Sequence, residues 1–317
     1  MDLTLLLALL GLGVLVIPAL GGDDDDDSAD EDNTIRGTSE DDELEGTTDG
    51  EEILGFLGDD IINGNGGLDI LRGSGGEDTI TGGADRDEIY GGADNDELFG
   101  LGGDDTIEGG GGNDVIDAGE GSDIVRAGAG DDTVYGNLGT DTLRGEDDDD
   151  DLFLWGNEGT AFGGEGDDDL IMVTGRGVLD GVAGTNTFYA LANDDDEQQT
   201  VAIIQELGDG DQIVMTIDTD DATVVGEDLL VTVTEGTING IEGYNVEIAF
   251  ADESDEPAQF ETSRVFIYGR SLDIEDVVAS IQVDVTVDAE LTVEGAQATF
   301  DALEPDAPAQ TDPVVTP

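Results

Sequence analysis

A nine-residue period runs without interruption from Gly37 to Ile171 and divides this stretch into fifteen blocks. Two consecutive blocks, 82–90 and 91–99, read Gly-Gly-Ala-Asp-Arg-Asp-Glu-Ile-Tyr and Gly-Gly-Ala-Asp-Asn-Asp-Glu-Leu-Phe. The sixth position is Asp in thirteen blocks, and the eighth position is Leu, Ile or Val in fourteen. A period this regular predicts a solenoid, in which each block has the same local structure and stacks on its neighbours.

Each block is expected to contain a six-residue loop followed by a three-residue strand. Glycine in the loop allows the positive-φ conformations that a tight turn needs. Side chains alternate along a strand, so the eighth residue points inward and the seventh and ninth point outward. Two blocks complete one coil, and each block stacks on the block 18 residues away with strands about 4.8 Å apart.

This stacking sorts the sixth-position acids into two columns, which we name the long column and the short column. The long column contains Asp42, Asp60, Asp78, Asp96, Asp114, Asp132, Asp150 and Asp168. The short column contains Asp69, Asp87, Asp105, Asp123 and Asp141, with Glu51 below and Gly159 above. Carboxylates about 5 Å apart repel by roughly 3 kcal/mol at an effective dielectric near 20, which favours a divalent cation between them. Eight aspartates give seven intervals and five give four, so we expect at most eleven metal sites.

The blocks resemble the repeats-in-toxin (RTX) nonapeptides, written Gly-Gly-x-Gly-x-Asp-x-aliphatic-x, most closely at 82–90, 91–99 and 109–117. The resemblance implies a parallel β-roll whose loops bind calcium through the sixth-position Asp and the carbonyl oxygens of the glycine positions. Blocks 46–54 and 154–162 depart from the motif, which puts the sites beside them in question. Calcium takes six to eight oxygen ligands in irregular geometry. We therefore predict that the roll is largely disordered without calcium and folds when it binds calcium.

The amino-acid composition argues against several classes of function. The chain has 81 acidic and 8 basic residues and a net charge of -73, which argues against nucleic acid as a partner. It contains no cysteine, histidine or lysine, so disulfides, thiolate metal sites, serine triads, the usual zinc sites and Schiff bases all lack a required group. The sequence predicts a calcium-binding protein that is not an enzyme.

The composition also divides the chain into five regions. We predict an apolar signal or membrane-anchor segment, an acidic linker, the calcium-binding β-roll, a β-rich C-terminal capping domain and a flexible acidic tail containing proline. Their bounds are 1–22, 23–32, 33–171, 172–285 and 286–317. The fold class is therefore all-β, with a solenoid followed by a cap that covers its open end.

The N-terminal segment suggests export. Leu3 to Leu20 is an uncharged apolar run of 18 residues, about 27 Å long as a helix and slightly short of a bilayer core. A cleaved signal peptide and a retained membrane anchor both fit, although no basic residue precedes the run. The resemblance instead suggests a C-terminal signal for type I secretion, and such proteins usually lack an apolar N-terminus. Every one of these routes places the protein outside the cell or at its surface.

The C-terminal region is predicted to contain five strands and one short helix. Alternating apolar residues indicate the strands, and Ser271 is a candidate N-cap for a helix through Ile281. The strands are predicted at Thr200–Gln205, Gln212–Ile217, Leu229–Thr234, Tyr244–Phe250 and Arg264–Tyr268.

Ninth-position side chains form outward rows that keep other functions open. One row contains Arg36, Leu54, Arg72, Tyr90, Glu108, Arg126 and Arg144. This row is a candidate binding surface for an anionic polysaccharide. Alternatively, its arginines only compensate local negative charge, with Arg72 stacked on Tyr90. The opposite face carries Phe99, Tyr135 and Phe153, which we interpret as shielding. The alternatives to the calcium-folded exported protein are a polysaccharide-acting enzyme or lectin and a cell-surface adhesion or matrix spacer.

Overall fold

A computed structural model describes residues 15–16, 33–192, 201–205, 207–208, 210–218, 229–238, 241–250, 263–268 and 281–286. Every regular element within these ranges is a β-strand. The predicted all-β class is confirmed. The strands are β1 Leu15–Val16, β2 Thr34–Arg36, β3 Glu43–Glu45, β4 Glu52–Leu57, β5 Ile61–Asn65, β6 Ile70–Gly75, β7 Thr79–Gly83, β8 Glu88–Ala93, β9 Glu97–Leu101, β10 Thr106–Gly111, β11 Val115–Asp117, β12 Glu120–Gly121, β13 Ile124–Ala129, β14 Thr133–Tyr135, β15 Leu138–Gly139, β16 Thr142–Asp147, β17 Asp151–Leu154, β18 Asn157–Glu165, β19 Asp169–Met172, β20 Arg176–Ala183, β21 Thr187–Ala192, β22 Val201–Gln205, β23 Gln212–Asp218, β24 Leu229–Ile238, β25 Ile241–Phe250, β26 Ser263–Tyr268 and β27 Ile281–Thr286.

The strands form two long parallel sheets that face each other across the core. Sheet A has the order β1-β3-β5-β7-β9-β11-β14-β17-β19-β21-β23-β27, and sheet B has the order β2-β4-β6-β8-β10-β13-β16-β18-β20-β22-β26-β25-β24. Within the repeats each strand pairs with the strand 18 residues away, as in the pairs Ile62 with Ile80 and Leu71 with Ile89. The predicted parallel β-roll with two blocks per coil is confirmed.

The core is one stack of eighth-position side chains between the sheets. These residues, from Leu44 to Leu170, belong to one hydrophobic cluster, and Ile80 in its middle is fully buried. The preceding position faces outward, since Ile61 is 56% exposed although Ile62 beside it is buried. The inward placement of the eighth residue is therefore confirmed, and it follows from strand alternation.

The coils continue beyond Ile171, where the sequence analysis ended the period. β20 pairs in parallel with β18, and β21 pairs in parallel with β19. Leu179 and Phe188 extend the core stack, and residues 181–189 form another nine-residue block with Asn186 at its sixth position. β22, β23, β26 and β27 add further parallel strands to the same two sheets.

The ends of the roll carry different elements. All five predicted C-terminal strands are present, in β22 to β26, and β24 and β25 form an antiparallel hairpin at the edge of sheet B. The predicted helix from Ser271 lies outside the described residues, except that Ile281 begins β27. At the other end, Leu15–Val16 pairs with Glu43 and Leu44. The rest of the apolar segment, the acidic linker and residues 287–317 lie outside the described residues.

No helix long and apolar enough to cross a membrane occurs in the part of the chain that the structure describes.

Candidate metal-binding columns

The thirteen sixth-position aspartates lie in two stacked columns at the edges of the roll. Each precedes a strand, so the long column borders sheet A and the short column borders sheet B. All of them are buried, with Asp42 the most exposed at 4%. A buried carboxylate is unusual unless it is paired or binds a metal, so each position needs a partner.

One oxygen of each carboxylate has a partner in the backbone. Oδ1 of Asp78 accepts a hydrogen bond from the N–H of Asp60 at 2.8 Å, and Oδ1 of Asp96 accepts one from the N–H of Asp78 at 2.9 Å. The same bond links each sixth-position aspartate to the acid one coil earlier throughout both columns. These bonds fix the orientation of each carboxylate, and therefore the direction of its second oxygen.

That second oxygen has no hydrogen-bond partner in twelve of the thirteen aspartates. The twelve buried Oδ2 atoms belong to Asp60, Asp69, Asp78, Asp87, Asp96, Asp105, Asp114, Asp123, Asp132, Asp141, Asp150 and Asp168. An unsatisfied buried polar group costs about 1–3 kcal/mol, and a charged group costs more. Twelve in one molecule exceed the few that native proteins contain.

The first residue of a block leaves space beside this oxygen. A Cβ added to Gly73 would lie 2.1 Å from Oδ2 of Asp78 and 2.8 Å from the carbonyl oxygen of Gly91, one coil above. At Gly91 the distances to Oδ2 of Asp96 and to the next carbonyl are 2.4 and 2.7 Å. The space therefore lies between a carboxylate oxygen and a backbone carbonyl oxygen. These are the ligands that calcium prefers, so the residues present fit this ion.

Two further observations limit which groups can act as cation ligands at this site. Ala118 and Ala127 stand at the first position of their blocks, so glycine is not required in every one. Nowhere in the described ranges do three or more acidic side chains come together as metal-binding groups do. A cation bound here therefore depends on carbonyl oxygens as well as on carboxylates.

Burial within the columns raises the pKa of the sixth-position carboxyl groups. The pKa of Asp96 rises to about 7 mainly because the group is buried, while the hydrogen bond from the N–H of Asp78 lowers it. The charges of Asp114 and Asp78 raise it further. The pKa of Asp150 rises to about 8 for the same leading reason. Burial therefore outweighs the repulsion on which the sequence argument relied.

At the N-terminal end, other groups of the protein donate hydrogen bonds to the carboxylates of Asp42 and Glu51. Oδ2 of Asp42 accepts hydrogen bonds from the N–H and the hydroxyl of Thr38 at 2.6 and 2.9 Å. Glu51 accepts bonds from the N–H of Thr47 at 3.1 Å and from the Thr47 hydroxyl. Asn33 donates a further bond to Glu51 at 3.2 Å. These donors were missed because threonine at the second position of a block carries no recognisable signal.

At the C-terminal end, the long column continues with uncharged or satisfied groups. Oδ1 of Asn186 accepts a hydrogen bond from the N–H of Asp168 at 2.9 Å, and Oδ1 of Asp211 accepts one from the N–H of Asn186 at 2.9 Å. Oδ2 of Asp211 accepts the N–H of Gly208 at 2.6 Å. The sequence analysis missed both residues because Asn replaces the motif's Asp in one, and 25 residues separate the two.

A second ladder runs on the exposed side of the loops and was not predicted. Oδ1 of Asp149 accepts the N–H of Asp167, and Oδ1 of Asp167 accepts the N–H of Thr185, both at 2.7 Å. Here the acceptor lies one coil before its donor, whereas in the buried columns it lies one coil after. Where the fifth residue is Asp or Asn, the fifth and sixth residues therefore tie a loop to both of its neighbours.

The arginine row is internally paired. Arg72 makes an ion pair with Glu52 at 3.0 Å and stacks over Tyr90 at 4.7 Å, which confirms the predicted cation–π contact. Arg144 lies over Phe162 at 4.5 Å. The described ion pair of Arg126 is with Glu146, at 3.8 Å. These contacts compensate the guanidinium charges within the roll.

Aromatic residues cluster on the outer face of sheet A. The rings of Tyr135 and Phe153 stack 4.8 Å apart, and Trp155 lies 6.1 Å from both. Phe153 packs with Ile171 and is buried although it is at an outward position. The cluster is a small second core that shields this face, in agreement with the predicted shielding.

The fold and columns define a parallel β-roll built from acidic nonapeptide repeats. Four segments, 54–89, 90–125, 117–152 and 126–160, match the family described as the RTX calcium-binding nonapeptide repeat. The chain therefore carries RTX calcium-binding repeats between residues 54 and 160, as the resemblance indicated. No curated protein matches the chain.

Proposed function

We propose that this protein is an exported, non-catalytic calcium-binding protein whose roll folds when calcium occupies the two acid columns. The observation that carries the proposal is the set of twelve buried Oδ2 atoms without a hydrogen-bond partner. Calcium supplies the missing partner and neutralises the buried charge. The sixth-position aspartates are the proposed ligands, together with carbonyl oxygens of the first-position residues.

The chain prepares these ligands in two ways. The hydrogen bond to Oδ1 holds each carboxylate so that Oδ2 faces the space beside the first residue of the block. The strand that follows buries its aliphatic residue only two positions later, as Asp78 does with Ile80. Metal binding and core formation therefore occur in the same few residues, which couples binding to folding.

Calcium-coupled folding suits an exported protein. Calcium is scarce inside cells and abundant outside, so the chain would stay unfolded before export and fold afterwards. We propose that residues 1–22 direct the protein to the cell surface or beyond, either as a cleaved signal or as an anchor through Leu3 to Leu20. Residues 33–171 are then the calcium-binding unit, and residues 172–285 cover its end.

The other candidate functions gain no specific support. A polysaccharide-binding surface needs arginines that are available to a ligand, but Arg72, Arg126 and Arg144 all contact neighbouring side chains. A polysaccharide or cell-surface partner stays a prediction from the sequence.

The test is a calcium titration of the full chain by isothermal calorimetry, followed by far-UV circular dichroism of the same samples. We expect several ions to bind per chain and the strand signal to rise with occupancy. Equal strand signals in chelator and in millimolar calcium would overturn the proposal.

A further inference from the structure

The second residue of a block follows a rule across the roll. In all twelve blocks with an unpartnered Oδ2, this residue has a positive φ. The twelve residues are Phe56, Asn65, Ser74, Gly83, Gly92, Leu101, Gly110, Gly119, Gly128, Asn137, Glu146 and Gly164. Thr38 and Thr47 hold the same position in blocks 37–45 and 46–54, and neither has a positive φ. Their blocks are the two whose acids are satisfied by the protein itself.

The rule has a physical cause. Positive φ is disfavoured for β-branched residues, although Val182 at the second position of block 181–189 has a φ of 63°. At Thr38 and Thr47 the ordinary conformation is also held by hydrogen bonds from the threonine hydroxyl to the acid of the same block. In that conformation the Thr38 N–H and hydroxyl both point at Oδ2 of Asp42. In the other blocks the left-handed second residue makes no such bond to the acid, and its Oδ2 stays open.

We propose that, in blocks with an acid at the sixth position, the second residue determines whether the block binds calcium, and that blocks 37–45 and 46–54 form a calcium-free N-terminal cap. The inference rests on the proposed function, since it divides the acids into binding and capping groups. Asp42 then leaves the set of ligands. The long column keeps seven open carboxylates with six intervals, and the short column keeps five with four, so ten shared sites replace the eleven expected.

The cap has a role at the end of a solenoid. An ion between two coils needs ligands from both, and the first coil has no repeat below it. Thr38 and Thr47 donate hydrogen bonds to the acids of their blocks in place of an ion. The carboxylates of the terminal coil therefore have partners although only one neighbouring repeat coil is present. Asn186 and Asp211 provide a comparable end to the long column, where an amide and the Gly208 N–H take the place of open carboxylate oxygens.

The first test compares two matched substitutions in the full chain, Asp42→Asn and Asp96→Asn. Bound calcium per folded chain is counted by calorimetry and by metal analysis at saturating calcium. We expect Asp42→Asn to keep the wild-type number of ions and Asp96→Asn to lose at least one. Loss of the same number from both variants would overturn the cap proposal. Wild-type protein that binds no calcium would instead overturn the proposed function.

The second test changes the second residue itself. Ser74 has a φ of 87°, which threonine disfavours and glycine accepts. We expect Ser74→Thr to lose calcium at Asp78, and Ser74→Gly to keep the wild-type number. Equal numbers in the two variants contradict the rule. If Ser74→Thr does not fold in calcium, the comparison of Asp42→Asn with Asp96→Asn decides.

Discussion

Each sixth-position aspartate has two oxygens with different roles. In the twelve aspartates from Asp60 onward, Oδ1 accepts a hydrogen bond from a backbone N–H of the coil before, while Oδ2 has no hydrogen-bond partner and is the proposed cation ligand. Asn186 also accepts a backbone N–H bond through Oδ1, but it offers no charged oxygen to a cation. Its amide nitrogen instead donates a hydrogen bond to the carbonyl of Ala183 at 3.4 Å. In block 181–189 the amide at the sixth position, and not the second residue, therefore removes the open carboxylate oxygen, since Val182 has a positive φ there.

Replacing one buried carboxylate by its amide should have opposite effects with and without calcium. Asp96→Asn removes a ligand, so we expect it to lower stability in calcium by about 1–3 kcal/mol. In chelator it removes a buried charge, so the residual strand signal by far-UV circular dichroism should exceed that of wild type. Glu97→Gln is the matched control, because Glu97 is exposed and lies outside the column. The same sign of change in both solutions would contradict the assignment.

Acid should stabilise the metal-free roll. The pKa of Asp132 is raised to about 7 and that of Asp150 to about 8, chiefly by burial. A carboxyl whose folded pKa exceeds its unfolded value binds protons more tightly when folded. The destabilisation is therefore complete above pH about 8 and is relieved as the pH falls toward about 4.

Far-UV circular dichroism in chelator at pH about 8 and about 5 measures this effect, and we expect the stronger strand signal at the lower pH. In calcium the same change should weaken binding, because protons compete for the ligands. A chelated protein whose strand signal is weaker in acid than at pH about 8 would contradict the expected stabilisation by protonation of buried carboxyls.

At the scale of the element, the coil joins metal binding to core packing. The open oxygen of Asp105 and the buried side chain of Ile107 are two residues apart. Ile107→Ala should therefore lower stability by about 2–5 kcal/mol and raise the calcium concentration at which half of the chains are folded. Glu108→Ala is the control, because Glu108 is exposed on the outer face of the same strand. A calcium midpoint that is equal in the two variants would contradict this coupling.

Trp155 offers a direct signal of folding, since it is the one tryptophan in the sequence. It packs within the aromatic cluster, 6.1 Å from the rings of Tyr135 and Phe153. We expect its fluorescence emission to shift to shorter wavelength as calcium is added, with the same midpoint as circular dichroism. A shift at a different midpoint would mean that the cluster forms separately from the roll.

The sequence predicted the elements that depend on a fixed spacing. The 18-residue stacking, the inward eighth residue and the two acid columns all follow from the period, and the pairs Ile62 with Ile80 and Arg72 with Tyr90 show it. The continuation to residues 181–189 was missed, because the block before it has Gly177 at the sixth position and Asn186 replaces Asp in the next. The Thr38 and Thr47 caps were missed because they depend on a backbone angle, which no residue pattern states directly.

At the scale of the whole molecule, the net negative charge opposes folding. The net charge is -73, and ten calcium ions carry 20 positive charges, which would leave about -53. Ions bound at the proposed sites would act inside the roll, where their effect on each buried carboxylate is least screened by salt. The rest of the negative charge stays on the surface, where it favours solubility and repels other acidic chains.

The central claim is that the stacked coils need calcium to fold, and amide hydrogen exchange tests it most directly. We would measure exchange along the full chain in millimolar calcium and in chelator. We predict slow exchange in calcium for the sixth-position amides from Asp60 to Asp150 other than Asp141, whose N–H groups bond to the next carboxylate, and exchange near the unfolded rate in chelator. Equally slow exchange in both solutions would contradict the account.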